Sequence, residues 1–207
     1  MIQDGMTRRQ FIGRAATAAA AAGLAAAGAR SAPLTGRVVK AYSPGATRDF
    51  VAQQPAIRDM VRSGLATLTG ARTPEAAIAK LMPPIGPEDQ ILIKVNAAGS
   101  PIRVGTRPET VRAVVELLRS APTTDGRRVR AEQITVWDNA PVDHVAEAVD
   151  GLCETVATYR RSEWDLAEGA SLELAHPPDD TPLRTQRVVI EADHLINLSS
   201  LKHHPLT

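Results

Sequence analysis

Three polar clusters interrupt an otherwise aliphatic chain, and each closes or follows a stretch that reads as a strand. The first is Lys94 and Asn96, at the end of Gln90-Ile91-Leu92-Ile93-Lys94-Val95-Asn96. A lysine in such a run must leave the core at the strand end or find a partner, because an unpaired buried charge is costly. Either Lys94 and Asn96 face a cleft and hold a carboxylate, phosphate or carbonyl oxygen, or Lys94 snorkels from the strand end. The second cluster is Asp138-Asn139, after Ile134-Thr135-Val136-Trp137. An aspartate at that junction either caps the exposed amides of the next helix, or faces the cleft as a base or as the partner of Lys94. The third runs from Asn197 to Lys202, His203 and His204. Alternate residues of an extended chain share a face, so Lys202 and His204 point together. A lysine that stabilises negative charge beside a histidine that titrates near neutrality is equipment for anion binding and proton transfer. The competing reading is a solvated tail. Lys94, Lys202 and His204 are therefore the candidate catalytic residues, and Asn96, Asp138 and Asn197 the candidate ligand-binding ones.

Other chemistries lack their signatures. The five histidines, with Asp138 or Asp143, have no metal-ligand spacing, and no His-Glu-x-x-His occurs. The glycines near Gly99 and Gly105 fit neither a dinucleotide fingerprint nor a phosphate-binding loop. A Gly-x-Ser-x-Gly elbow is missing, so a serine hydrolase has no support. Cys153 is the single cysteine. One thiolate cannot hold an iron–sulfur cluster or close an internal disulfide, and its apolar surroundings suggest a buried, inert thiol. The identity of any cofactor stays open.

The elements that would carry these clusters follow from periodicity. Arg37–Tyr42 is β-branched enough for a first strand. Apolar residues at Ile57, Met60, Val61, Leu65 and Leu68 have helical spacing, with Gly70 as the stop. Thr73-Pro74-Glu75 starts a second helix, with Thr73 as cap and Pro74 in the first turn. Gln90–Asn96 reads as a strand buried on both faces. Thr106-Arg107-Pro108-Glu109 reads as a capping box with Thr106 at the cap, followed by an apolar face of Val111, Val114, Val115, Leu117 and Leu118. Ile134–Trp137, Thr155–Tyr159, Arg187–Ile190 and Asp193–Leu198 read as further strands, and residues 160–185 as a polar stretch turning at Pro177-Pro178-Asp179-Asp180. Strands alternating with three-turn helices predict an α/β fold: an open, mostly parallel or mixed sheet with helices on both faces. Sites in such folds lie outside the carboxyl ends of the strands, where the polar clusters gather.

The N-terminus carries a different message. Thr7-Arg8-Arg9-Gln10-Phe11-Ile12 precedes an alanine-rich run from Ala15 to Ala29, ending in the small residues Ala27-Gly28-Ala29. Charged start, apolar middle and small-residue end are the layout of an export signal. Arg8, Arg9 and Phe11 make it resemble a twin-arginine (Tat) signal, which implies the Tat translocase as a partner and a periplasmic or otherwise exported destination. The alanine run is too short and too weakly apolar for a permanent membrane span. Residues 1–29 are read as signal, 30–36 as a leader and 37–207 as one α/β domain. The full chain holds 24 basic and 23 acidic residues. The signal takes three arginines and one aspartate, leaving 21 and 22. No basic excess remains to attract a polyanion, so nucleic acid is not an expected partner.

Ile93-Lys94-Val95-Asn96, then Thr106-Arg107-Pro108-Glu109, then Ile196-Asn197-Leu198-Ser199-Ser200-Leu201-Lys202-His203-His204 resemble, in order and spacing, the family called domain of unknown function 362. Val95 stands where the family usually has proline. Members usually continue past the Lys-x-His segment to a second Lys-Asn motif, so the resemblance implies a chain truncated at its C-terminus. Some members carry cysteine-rich segments, which this chain lacks, and Tat export is common among them. The resemblance implies an exported α/β protein whose cleft binds a small anionic ligand or cofactor. It leaves open whether that protein is an enzyme, a non-catalytic binding or accessory protein, or an inactive fragment.

Overall fold

A computed structural model describes residues 36–97, 105–157, 166–172 and 183–199. The chain divides into a leading unit, Met1–Gly36, and a second unit, Arg37–Thr207, which holds the elements below. Among the described residues no helix is long and apolar enough to cross a membrane. The proposed signal residues Arg8, Arg9 and Phe11 lie outside the described residues, as do Lys202 and His204.

The second unit opens with a small hairpin, β1 (Thr47–Arg48) and β2 (Val51–Ala52), paired antiparallel. Two helices follow, α1 (Gln54–Thr69) and α2 (Pro74–Leu81). Gly70 ends α1 in the left-handed region at φ 64°, where glycine carries no Cβ penalty. Thr73 caps α2 as expected, its hydroxyl accepting the Ala76 N–H at 3.2 Å. Then come β3 (Ile91–Val95), α3 (Pro108–Ser120), β4 (Ile134–Asp138), α4 (Asp143–Val149) and β5 (Glu154–Ala157). An antiparallel pair, β6 (Leu166–Leu172) and β7 (Leu183–Gln186), leads through one helical turn, α5 (Arg187–Ile190), to β8 (His194–Leu198).

β5, β4, β3 and β8 form a four-stranded sheet in that order, with every pair parallel. The fold is thus α/β, as periodicity predicted. Ile91, Ile93 and Val95 of β3 and Ile134 and Val136 of β4 face a core with Ile78, Val111, Val115, Leu118, Val145 and Val149 from the helices. Ile91, Leu92 and Ile93 are all essentially inaccessible, as a central strand covered on both faces requires. On the opposite face, Val188 of α5 and Ala192 join Leu92, Thr135 and Val156 around a hollow of about 280 Å³. Arg112 and Arg119 of α3 donate to the carbonyls of Ala148 and Leu152 at 3.0 and 2.9 Å, fastening α3 to the C-terminal end of α4.

Three expectations for the elements fail. Arg37–Tyr42 is not a strand. It lies along the surface with Val38 and Tyr42 exposed, and no described strand offers its backbone a ladder. Arg187–Ile190 is a helical turn, with the strand just before it; a four-residue apolar run does not itself distinguish strand from helix. Within the polar stretch 160–185, all of β6 and most of β7 form an antiparallel pair with an irregular register, a pattern with little apolar alternation to announce it. The Pro177–Asp180 turn lies outside the described residues.

Candidate functional site

β3 is where the sheet changes direction of growth. The chain builds outward from β3 to β4 and β5, then returns to set β8 against the other edge of β3. In open parallel sheets the connections diverge at this switch point and leave a crevice outside the carboxyl ends. Lys94 stands there. In register with it are Trp137 of β4 on one side and Asn197 of β8 on the other.

The Lys94 ammonium donates to the carbonyl of Val95 and to Asp138 Oδ1, the latter at 3.0 Å. It also sits 5.4 Å from the centroid of the Trp137 ring, within range of a cation–π attraction. Asp138 Oδ1 further accepts the Asn139 N–H at 2.6 Å, while Oδ2 accepts the Ala97 N–H. One carboxylate thus joins the segment leaving β3 to the segment leaving β4. Asp138 does not cap the next helix. α4 begins at Asp143 behind Val142, too far along the chain for the Asp138 carboxylate, which is taken up by Lys94 and two amides.

Thr106 makes the second join. Its hydroxyl accepts the Asn96 N–H and donates to the Leu198 carbonyl, both at 2.8 Å, and its own N–H donates to the Asn96 carbonyl at 2.8 Å. The expected capping box is absent. Pro108, not Arg107, takes the first helical position, which shifts the cap to Arg107 and leaves the Thr106 hydroxyl to bridge β3 and β8. Asn96 is half-buried beside this bridge. Asn197 is exposed, and its Oδ1 accepts the Ser199 hydroxyl at 2.6 Å. Lys94, Asn96, Asp138 and Asn197 therefore gather at one end of the sheet.

The family model for the domain of unknown function (DUF362) matches residues 91–207, more than half of the chain. The chain belongs to this family. The match begins at the first residue of β3, so the DUF362 segment starts with the strand that carries Lys94. All three motifs noted in the sequence fall inside it, and the hairpin, α1 and α2 fall outside. No curated protein and no solved structure matches the chain.

Chemically, the described part of the DUF362 site holds one cation and one carboxylate in different states of engagement. An ammonium has three N–H donors, and two of them have partners among the described residues. The Lys94 side chain is 30% exposed, so the third can reach an incoming oxygen. The Asp138 carboxylate accepts three donors at 8% exposure and balances Lys94 rather than standing ready as a base. Among the described residues no three His, Cys, Asp or Glu side chains converge as for a metal ion.

Sequence reasoning missed Trp137 and the bridging role of Thr106. Register with Lys94 is the signal for Trp137, and it needs the strand pairing to be known. Proline's preference for the first helical position is the signal for Thr106. His194 lies at the opposite, amino end of β8, with Nε2 2.9 Å from Asp89 Oδ2. Asp89 also accepts the Gly86 N–H at 2.7 Å, and that hydrogen bond, with the His194 contact second, holds its carboxyl below the usual range. Cys153 is a half-buried free thiol pushed up to about 11 by burial.

Proposed function

We propose that this DUF362 protein binds a small anionic ligand or cofactor in the crevice at the carboxyl ends of β3, β4 and β8. The observation that supports this reading best is the Lys94 ammonium: held in place by Val95 and Asp138, partly exposed at the switch point of the sheet, and with partners for two of its three N–H donors among the described residues. A preplaced cation costs little ordering on binding, which favours a carboxylate or phosphate oxygen. The amides of Asn96 and Asn197 flank it, and Lys202 and His204 follow β8 in the sequence. Tat-directed export, with a periplasmic destination, is part of the same proposal and rests on Arg8, Arg9 and Phe11 before the alanine run.

Binding without catalysis is the second reading, and the Asp138 carboxylate favours it, because it is buried and already accepts from Lys94 and two backbone amides. The test begins with native mass spectrometry of the full chain purified from its own cells, to identify any retained small molecule. Titration with inorganic phosphate and with succinate then compares the protein with Lys94→Gln. Saturable binding of either anion, weakened about tenfold or more by the substitution, supports the reading. No retained molecule and no saturable binding of either anion would overturn it.

A further inference from the structure

A buried indole N–H usually finds an acceptor, because an orphaned donor gives up its hydrogen bonds to water and gains none in return. Trp137 departs from that rule. Its Nε1 is shut off from solvent, and among the described residues nothing accepts from it. The residue stands near the carboxyl end of β4, in parallel register with Lys94 of β3. Register partners emerge from the same face of a sheet. The contact is direct, since the Lys94 ammonium lies 5.4 Å from the centroid of the Trp137 ring. The adjacent Asp138 carboxylate accepts from Lys94 and from the Ala97 and Asn139 amides, not from the indole.

Two donors thus neighbour one another at the carboxyl end of the sheet: a partly exposed ammonium held in place, and an indole N–H that lacks an acceptor. Neither group can accept a hydrogen bond. What completes both is an oxyanion with several acceptor oxygens on one centre, one for the ammonium and another for the indole. A monatomic anion has no second oxygen to offer. Burial of Nε1 favours this use, because an indole without water has none to surrender when a ligand oxygen arrives. We infer that Trp137 is a ligand-binding residue of the Lys94 site: its ring face holds the ammonium, and its Nε1–H is the second donor to a carboxylate or phosphate group. This rests on the reading of Lys94 as an anion-binding residue, and adds that the ligand presents at least two oxygens on one centre.

The test is titration of the full chain with inorganic phosphate and with succinate, read at the indole itself. The sequence has two tryptophans, so Trp164→Phe leaves Trp137 as the single indole in a proton–nitrogen correlation spectrum. The bound anion moves the Trp137 Nε1 proton downfield, and the movement saturates with binding. The anion that does so identifies the charged group of the ligand as phosphate or carboxylate. Trp137→Phe keeps an aromatic ring beside Lys94, removes the N–H, and weakens binding of the same anion about tenfold. An indole proton that stays in place while the anion binds overturns the inference and leaves the Lys94 reading intact, as does undiminished affinity in a folded Trp137→Phe. Failure of the unaltered chain to bind either anion overturns both. The indole readout needs no change at Trp137, so it decides the matter even where Trp137→Phe does not fold.

Discussion

Lys94 Nζ lies 3.0 Å from Asp138 Oδ1, an ion pair joining the carboxyl ends of two neighbouring parallel strands. Its two ends are unequal. Asp138 is almost wholly buried and takes two backbone amides besides the lysine, whereas Lys94 is partly open to solvent. Asp138→Ala therefore strands the Ala97 and Asn139 amides and the lysine charge together, and should cost about 2–4 kcal/mol. Lys94→Ala leaves the carboxylate its two amide donors and should cost about 1 kcal/mol. Urea midpoints of the two variants check the asymmetry; equal losses would mean that the pair, and not the amide bonds, carries the effect.

Thr106 allows a cleaner separation of shape from hydrogen bonding. Thr106→Val keeps the volume and removes a hydroxyl that serves both the Asn96 N–H and the Leu198 carbonyl. A loss of about 1–3 kcal/mol is expected, with faster amide exchange at Asn96. Thr106→Ser should recover most of the stability. Should valine prove harmless, the bridge does not hold β3 to β8.

The opposite end of the sheet should respond to acid. Asp89 has its carboxyl held below the ordinary value of 3.8, first by the Gly86 N–H and then by His194. A depressed carboxylate stabilises the fold above its unfolded pKa and loses that contribution as pH falls through the folded value. Stability should therefore decline below about pH 4, and Asp89→Asn should flatten that part of the profile. Gly86→Ala should act like the asparagine variant, since a Cβ there would stand 2.6 Å from Asp89 Oδ1 and push the side chain away. Thermal melts between pH 3 and pH 7 measure all three proteins.

Cys153 should be a poor nucleophile. Burial pushes its thiol up to about 11, so almost no thiolate exists at neutral pH. A disulfide reagent at pH 8 should label the native chain far more slowly than the urea-unfolded one. Equal rates would place the thiol in an accessible, activated setting.

Export has its own assay. A reporter that is active only outside the cytoplasm, fused after residue 36, should lose its signal when Arg8 and Arg9 are both changed to lysine. Lysine keeps the charge, so only a pathway that reads the arginine pair distinguishes the two. Unchanged export would assign the segment to another route.

Much of the fold was legible because its signals are local. The continuous apolar run at Ile91–Val95, the Thr73-Pro74 start and the Gly70 stop each act within a few residues, and parallel pairing follows from the alternation of strands and helices. The sequence also located Lys94, Asn96, Asp138 and Asn197 near strand ends. It could not choose between Asp138 as cap and as partner of Lys94, because that depends on β4 lying beside β3 in the register that sets Lys94 opposite Trp137. Nor could it assign Thr106, whose hydroxyl reaches a carbonyl 92 positions away in β8. Arg37–Tyr42 shows the reverse error: β-branched residues favour a strand only where a neighbour supplies the ladder. Local propensity and apolar period thus determined the elements and their class. Long-range pairing alone decided which polar atoms meet, since hydrogen bonds and ion pairs form between neighbours in space.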